Sequence, residues 1–123
     1  MERLAVVCWL TLAAIHASPA AVLFRPALTE TLYGIPPTGP TGVLVIHRGA
    51  LFFGVGVVAV FAAFTPDARK AATLLLGISV VSFLVVYIMV GAPQGPLRTI
   101  AAVDALALLP WAYVTWMAWR SAN

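Results

Sequence analysis

The sequence predicts an all-α, integral membrane four-helix bundle, and two observations carry that prediction. The 123 residues are 63% apolar and only 9% charged, with a mean hydropathy of +1.03, whereas a soluble domain is close to half apolar and a quarter charged. The apolar residues also form four runs of about 20 residues, the length with which a helix crosses a bilayer. Strands of a membrane barrel would instead alternate in polarity along much shorter segments.

The four predicted membrane helices follow one another with polar separators. They run from Leu4 to Phe24, from Val43 to Phe64, from Ala71 to Val90 and from Thr99 to Trp119. The separators contain proline, glycine and charged residues, which favour loops. The longest separator, residues 25–42, is the predicted outer loop. The whole chain, residues 1–123, is therefore predicted to form a single transmembrane domain.

The first run and the outer loop each have a further interpretation. The first run also fits a secretory signal, with small residues around Ala17 and Ser18, but a membrane helix that bends near Pro19 is preferred. In the outer loop, residues 26–33 are long enough for two helical turns. Such a helix can lie over the bundle as a lid and bring Glu30 and Tyr33 near Arg48 or Arg98, although a solvated turn at the membrane interface is preferred.

Polar side chains within the predicted spans lie at similar depths in one half of the bundle. They are His16, His47, Arg48, Tyr87 and Asp104. At the helical rise per residue, His47 and Asp104 lie about 7 Å inside their helices, with Tyr87 at about 5 Å and His16 at about 12 Å. Ionisable groups are costly at such depths and need partners. The sequence therefore predicts a polar ligand-binding pocket in the outer half, with Glu30 above it.

An ion pair between Arg48 and Asp104 is the simplest arrangement in this pocket. The start of the fourth helix also favours a carboxylate, because its backbone N–H groups are unpaired. The alternative is that both residues mark the membrane interface, with Arg48 extending to water.

The histidines suggest two further kinds of chemistry. His47 is a candidate general acid or base, since imidazole titrates near neutral pH, although it can equally be hydrogen-bonded to a loop carbonyl. His16 and His47 together are a candidate haem-ligand pair, but their depths differ by roughly 5 Å. The single cysteine, Cys8, excludes a multi-cysteine metal site. The sequence predicts no metal site and indicates no particular cofactor.

Four segments resemble a family of small four-helix membrane proteins of proteobacteria. They are LYGI at 32–35, HRGALFFG at 47–54, SVVSFL at 79–84 and RTIAAVDALAL at 98–108. The chain is also loosely similar to the DoxX-like class, some of whose members serve quinone-linked redox complexes. The resemblance implies that five residues belong to a sequence pattern shared by the family, but it assigns no role to any of them. These residues are His47, Arg48, Ser79, Ser82 and Asp104.

These observations predict either a binder of a lipid or quinone-type molecule or an accessory subunit of a membrane complex. The expected partners are membrane lipid, an apolar small molecule and a partner protein of such a complex. The alternative is a small isomerase or cyclase that acts on an apolar substrate with Asp104 and His47 as acid and base. Nucleic acid is not expected, because the net charge is only +3 and the basic residues are scattered.

Basic residues flanking the spans predict the orientation. With four spans, both termini share a side with the loop at 65–70. That side carries Arg3, Arg69, Lys70 and Arg120, while the other carries Arg25, Arg48 and Arg98. The bias places both termini in the cytoplasm of a bacterial inner membrane.

Overall fold

The computed structural model describes residues 1–120, and all of its regular structure is helical. The elements are α1 (Glu2–Phe24), α2 (Leu28–Tyr33), α3 (Gly39–Phe64), a 3₁₀ turn (Pro66–Ala68), α4 (Arg69–Met89) and α5 (Pro96–Arg120). The four long helices correspond to the four apolar runs. The short helix α2 lies where two helical turns are predicted in the outer loop.

The helices begin earlier than the apolar runs do. α3 begins at Gly39 instead of Val43, and α5 begins at Pro96 instead of Thr99. Both extensions have proline in the first turn, where its missing N–H costs no hydrogen bond and its fixed φ suits a helix. Hydropathy marks only the part of a helix that contacts lipid, so it misses these polar first turns.

The long helices form a ring in which α1 packs against α3 and α5, α4 packs against α5, and α3 meets α4 less closely. The core includes the fully buried side chains of Trp9, Leu12, Leu76 and Val114. α1 and α3 approach closely because Gly49 faces the α1 backbone. A Cβ at Gly49 would lie 3.1 Å from the Pro19 carbonyl oxygen. The looser α3–α4 contact leaves a groove on the surface of the bundle.

The outer surface of the bundle is apolar. Large side chains such as Leu44, Phe64, Ile78 and Leu109 are about 70% exposed, and a soluble monomer rarely shows so much contiguous apolar surface. Within residues 1–120, four helices are long and apolar enough to cross a membrane. The chain is therefore a multi-pass membrane protein, and the predicted all-α four-helix bundle is confirmed.

Both described ends of the chain lie at one end of the bundle, which we call the terminal end. The hydroxyl of Tyr113, near the end of α5, donates a hydrogen bond to the Met1 carbonyl at 3.2 Å. The opposite end is covered by α2 and is called the α2 end. These two names refer to the ends of the bundle and do not specify a side of the membrane.

Candidate functional site

A cavity of about 170 Å³, partly open to the surface beside exposed Ser18, Thr99 and Val103, lies between α1, α3 and α5 near the α2 end. We call it the bundle cavity. Its lining residues are Ile15, His16, Ser18, Pro19, Leu32, Tyr33, Arg48, Phe52, Thr99, Ile100, Val103 and Asp104. Half of these residues are polar, but most of the lining surface is apolar, and the ionisable groups come from α1, α2, α3 and α5. Such a combination is typical of small-molecule sites.

The cavity brings together three of the six residues predicted for the site, His16, Arg48 and Asp104. Depth predicted this grouping because α1 ends at the α2 end whereas α3 and α5 begin there. Residues counted inward from those helix ends therefore lie at similar levels. These three side chains and Tyr33 are the ionisable groups of the cavity.

The other three predicted site residues lie away from the bundle cavity. His47 is exposed on α3 and is absent from the cavity lining, and Glu30 is exposed on α2. Tyr87 donates a hydrogen bond to the Pro93 carbonyl at 2.9 Å, which ties the end of α4 to the loop that follows. Asp104 and His47 therefore do not contribute to one site.

Arg48 and Asp104 do not form the predicted ion pair. Within residues 1–120, Arg69 and Glu2 form the only ion pair with a nitrogen–oxygen distance of 4.0 Å or less. Arg48 and Asp104 nevertheless line the same cavity, so their opposite charges face a shared volume. The predicted ion pair between Arg48 and Asp104 was therefore wrong, because the Arg48 guanidinium lies against aromatic rings instead.

Three aromatic rings surround the Arg48 guanidinium. Its central carbon lies 4.4 Å from the centroid of Phe52, 5.3 Å from Tyr33 and 5.6 Å from Phe83. All three distances are within the range of cation–π attraction. The rings stabilise the cation through their faces, and the guanidinium also interacts with the Tyr33 phenol. Because a guanidinium has five N–H donors, others remain for an oxygen acceptor on a ligand.

The lid predicted at residues 26–33 placed Tyr33 near an arginine, but the ring contacts of Phe52 and Phe83 with Arg48 were not predicted. The contact of Phe52 with Arg48 could have been predicted from spacing, because residues four apart lie on the same face of a helix and Phe52 follows Arg48 by four positions. Phe83 comes from α4 and required the tertiary structure. The aromatic surroundings of Arg48 are therefore only partly encoded in local sequence.

His16 is almost fully buried and has both ring nitrogens engaged. Its Nδ1 lies 2.8 Å from the Leu12 carbonyl, which can only accept, so Nδ1 carries the proton. Its Nε2 is then an acceptor and faces the Ser79 hydroxyl at 3.4 Å, across from α1 to α4. The ring also packs against Phe52, with centroids 5.5 Å apart. This arrangement does not pair His16 with exposed His47, as a haem between them would require.

The short helix α2 closes the cavity at its end. Tyr33 is only 8% exposed and contributes to the lining, and α2 ends at Gly34, whose φ of +68° lies in the left-handed region that glycine adopts readily. Burial raises the pKa of the Tyr33 phenol, an effect that the positive charge of Arg48 opposes. The phenol is therefore a neutral group at physiological pH, with its face towards the guanidinium.

The described residues contain no cluster of three or more histidine, cysteine or acidic side chains placed to hold a metal ion. Fold and site together define a multi-pass four-helix membrane protein with a mostly apolar cavity that bears a cation, a carboxylate and an imidazole. No family model, curated protein or solved structure matches the chain.

Proposed function

We propose that this protein binds a small membrane-resident molecule of the lipid or quinone class in the bundle cavity. The single observation that carries the proposal is the convergence of His16, Arg48 and Asp104 on one mostly apolar cavity. Polar groups at membrane depth are costly, and they are typically found where a substrate, ion or ligand is bound.

Cavity size and charge favour a neutral molecule with a ring-sized polar head. A cavity of about 150 Å³ is known to hold benzene, and this one measures about 170 Å³. The Arg48 cation and the Asp104 carboxylate offset each other, so a neutral ligand leaves the site neutral overall. A carbonyl or hydroxyl oxygen on such a ring is a suitable acceptor for the available Arg48 N–H groups.

A small membrane enzyme acting on an apolar substrate is the second candidate. The observation in its favour is that two ionisable side chains, His16 and Asp104, face one cavity. An isomerase or cyclase of this kind would use His16, because His47 lies outside the lining. Retained ligand binding with loss of turnover in Asp104→Asn would distinguish the enzyme from the binder.

The setting that we propose is a bacterial inner membrane with both termini in the cytoplasm and the α2 end on the other side. The bias of flanking basic residues supports this orientation. We also propose that the chain is related to the small four-helix membrane proteins of proteobacteria, on the basis of the four similar segments, and more distantly to the DoxX-like class. In that setting the protein can act alone or as an accessory subunit that presents its ligand to a partner.

The test combines native mass spectrometry with ligand titration. Protein extracted gently from its own membranes is expected to retain a small-molecule mass. Purified protein is then titrated with duroquinone, a fully methylated benzoquinone that has no open ring position for addition to the Cys8 thiol. Binding is expected to raise thermal stability in a concentration-dependent way.

A matched pair of variants on α5 locates the site. Ile100→Trp fills the cavity that Ile100 lines, and Leu106→Trp places the same side chain at a 67% exposed position outside that lining. Binding should fall at least about tenfold in the first variant and stay unchanged in the second. Absence of both a retained mass and duroquinone binding would overturn the proposal, and equal binding by both variants would move the site elsewhere.

A further inference from the structure

A groove between α3 and α4 adjoins the bundle cavity. It is formed by residues 48–55 of α3 and 75–86 of α4 and has a volume of about 360 Å³. Arg48 and Phe52 line both the groove and the bundle cavity, so these two side chains separate the volumes. The groove is the more open of the two, and Leu51 and Val86 on its opposite walls are 60% and 56% exposed. It therefore opens towards lipid.

The polarity of this α3–α4 groove changes along its length. Arg48 is the only charged residue in its lining and lies near the α2 end, together with Phe83 and Ser82. Just past the middle of the two helices the lining becomes Val55 and Leu75. An amphiphile in the leaflet at the α2 end has the same arrangement, with its polar head outermost and its chain pointing to the bilayer centre.

The length of the groove also fits a single hydrocarbon chain. Residues 75 to 86 span about 16 Å at the helical rise, a length comparable to half of the hydrocarbon core, about 15 Å. A chain that leaves the cavity beside Arg48 can follow the groove past Phe52, which lies at the middle of α3, to Val55 and Leu75.

Another groove, of about 470 Å³, lies between α1 and α3 and also borders the bundle cavity at His16 and Phe52, but no arginine, lysine or acidic residue lines it. The α3–α4 groove differs because it places the Arg48 cation at its junction with the cavity.

We infer that the ligand of this protein is a chain-bearing amphiphile whose ring-sized head occupies the bundle cavity and whose alkyl or prenyl chain lies in the α3–α4 groove. This inference rests on the proposed function, since it adds the path of the chain to the site of the head. The groove also serves as the lateral entrance from lipid, with Arg48 and Phe52 at the threshold. The Arg48 N–H groups then hold a head oxygen at the junction.

The experiment compares two probes with the same fully substituted ring. One is duroquinone, and the other is its homologue in which one methyl group is replaced by a decyl chain. Affinities of the full-length protein are measured in nanodiscs of one composition. Because the decyl probe partitions more strongly into any bilayer, the informative quantity is the ratio of the two affinities in each variant.

Two groove-filling variants test the chain site from opposite walls, and one variant serves as the control. Leu51→Trp and Val86→Trp obstruct the α3–α4 groove, whereas Leu106→Trp alters an exposed position outside both the groove and the bundle cavity. The two groove variants should lower the decyl-to-methyl affinity ratio at least about tenfold relative to the control. Duroquinone affinity should stay unchanged in all three, which also shows that they are folded.

The outcomes separate this inference from the proposed function. If duroquinone binds and the affinity ratio is the same in the groove variants and the control, the chain path is wrong and the head site stands. If neither probe binds the unmodified protein, both proposals fail. If only one groove variant is folded, the ratio in that variant decides.

Discussion

Gly77 on α4 is a position where one added methyl group would disturb the contact between two helices. A Cβ there would lie 2.6 Å from Cζ2 of Trp111 on α5. The Trp111 indole also donates a hydrogen bond from Nε1 to the Thr73 carbonyl at 2.8 Å. Gly77→Ala should therefore displace the indole and lower the free energy of unfolding by about 1–3 kcal/mol. Reversible unfolding in mixed micelles measures this loss.

Gly54 on α3 provides the matched control for Gly77. A Cβ at Gly54 meets nothing within 4 Å, so Gly54→Ala gains helix propensity without a clash. Its stability should be equal to or slightly above that of the unmodified protein. Equal stability of the two alanine variants would show that α4 and α5 are not packed as described.

Substitution of Arg48 distinguishes a role of this side chain in stability from a role in ligand binding. Its guanidinium has ring contacts and no ion pair, and an apolar side chain of similar length can keep such packing. Arg48→Met should change the free energy of unfolding by less than about 1 kcal/mol. Duroquinone affinity should fall at least about tenfold, because the charged donor to the head oxygen is lost.

A parallel measurement of stability and titration checks the Arg48 prediction. Loss of fold in Arg48→Met would assign the residue to structure, and unchanged affinity would remove it from the ligand site. Arg48→Lys keeps the charge but not the planar group that stacks on three rings. Its affinity should fall between those of the unmodified protein and Arg48→Met.

At the scale of elements, buried Arg69 joins the end of α3 to the starts of α1 and α4. Its Nε donates to the Ala62 carbonyl and its Nη2 to the Ala63 carbonyl, each at 3.0 Å, and Nη2 also bonds the Glu2 carboxylate. The final carbonyls of a helix have no partner within it. Arg69 supplies partners for two of them, which explains how a charged side chain can be 8% exposed here.

Arg69→Met should lower the free energy of unfolding by about 2–4 kcal/mol, because it leaves buried carbonyls and the α1 contact without a donor. Arg3→Met is the control, since Arg3 is exposed at the same end of the bundle. Unfolding midpoints in one detergent compare the two. A loss in Arg69→Met no larger than in the control would contradict the role of Arg69 in joining these helices.

The lid helix α2 should respond to alkaline pH through Tyr33. Burial raises the pKa of its phenol above the ordinary value of 10.0, so the closed form holds the proton more tightly than the open or unfolded form. The contribution of Tyr33 to closure is fully present below about pH 10 and is lost as pH rises through the elevated pKa. Tyr33→Phe should remove this dependence. Thermal stability measured across alkaline pH in both proteins tests it.

Sequence patterns predicted the long helices well and the residues around the cavity only in part. Apolar run length identifies a span, and depth along the helix follows from residue count, which is why His16, Arg48 and Asp104 were predicted together. The rotation of each helix was not encoded, because its surface is apolar on nearly all sides. His47 is next to Arg48 in sequence, but about 100° of helix rotation places it on the exposed side.

For the molecule as a whole, lipid replaces water as the solvent for the bundle surface. Large apolar side chains therefore face outward on all four long helices, while His16, Thr73 and Arg69 are buried with hydrogen-bond partners. Helix packing in such a setting depends on small residues and cross-helix hydrogen bonds more than on hydrophobic burial. The α3–α4 pair is in looser contact than α1–α3, α4–α5 or α1–α5, and its Arg69 hydrogen bonds lie at the terminal end, away from the groove. This looser seam is consistent with ligand entry there.

The orientation of the whole molecule can be tested with cysteine labelling in intact cells. Cys8→Ser provides a background without thiols, into which Thr31→Cys on α2 or Asp67→Cys in the 3₁₀ turn is introduced. Both positions are exposed and lie at opposite ends of the bundle. With both termini in the cytoplasm, a membrane-impermeant maleimide should label the first variant in intact cells and the second only after permeabilisation. The reverse pattern would invert the orientation while keeping the bundle, and labelling of both in intact cells would contradict the four-span arrangement itself.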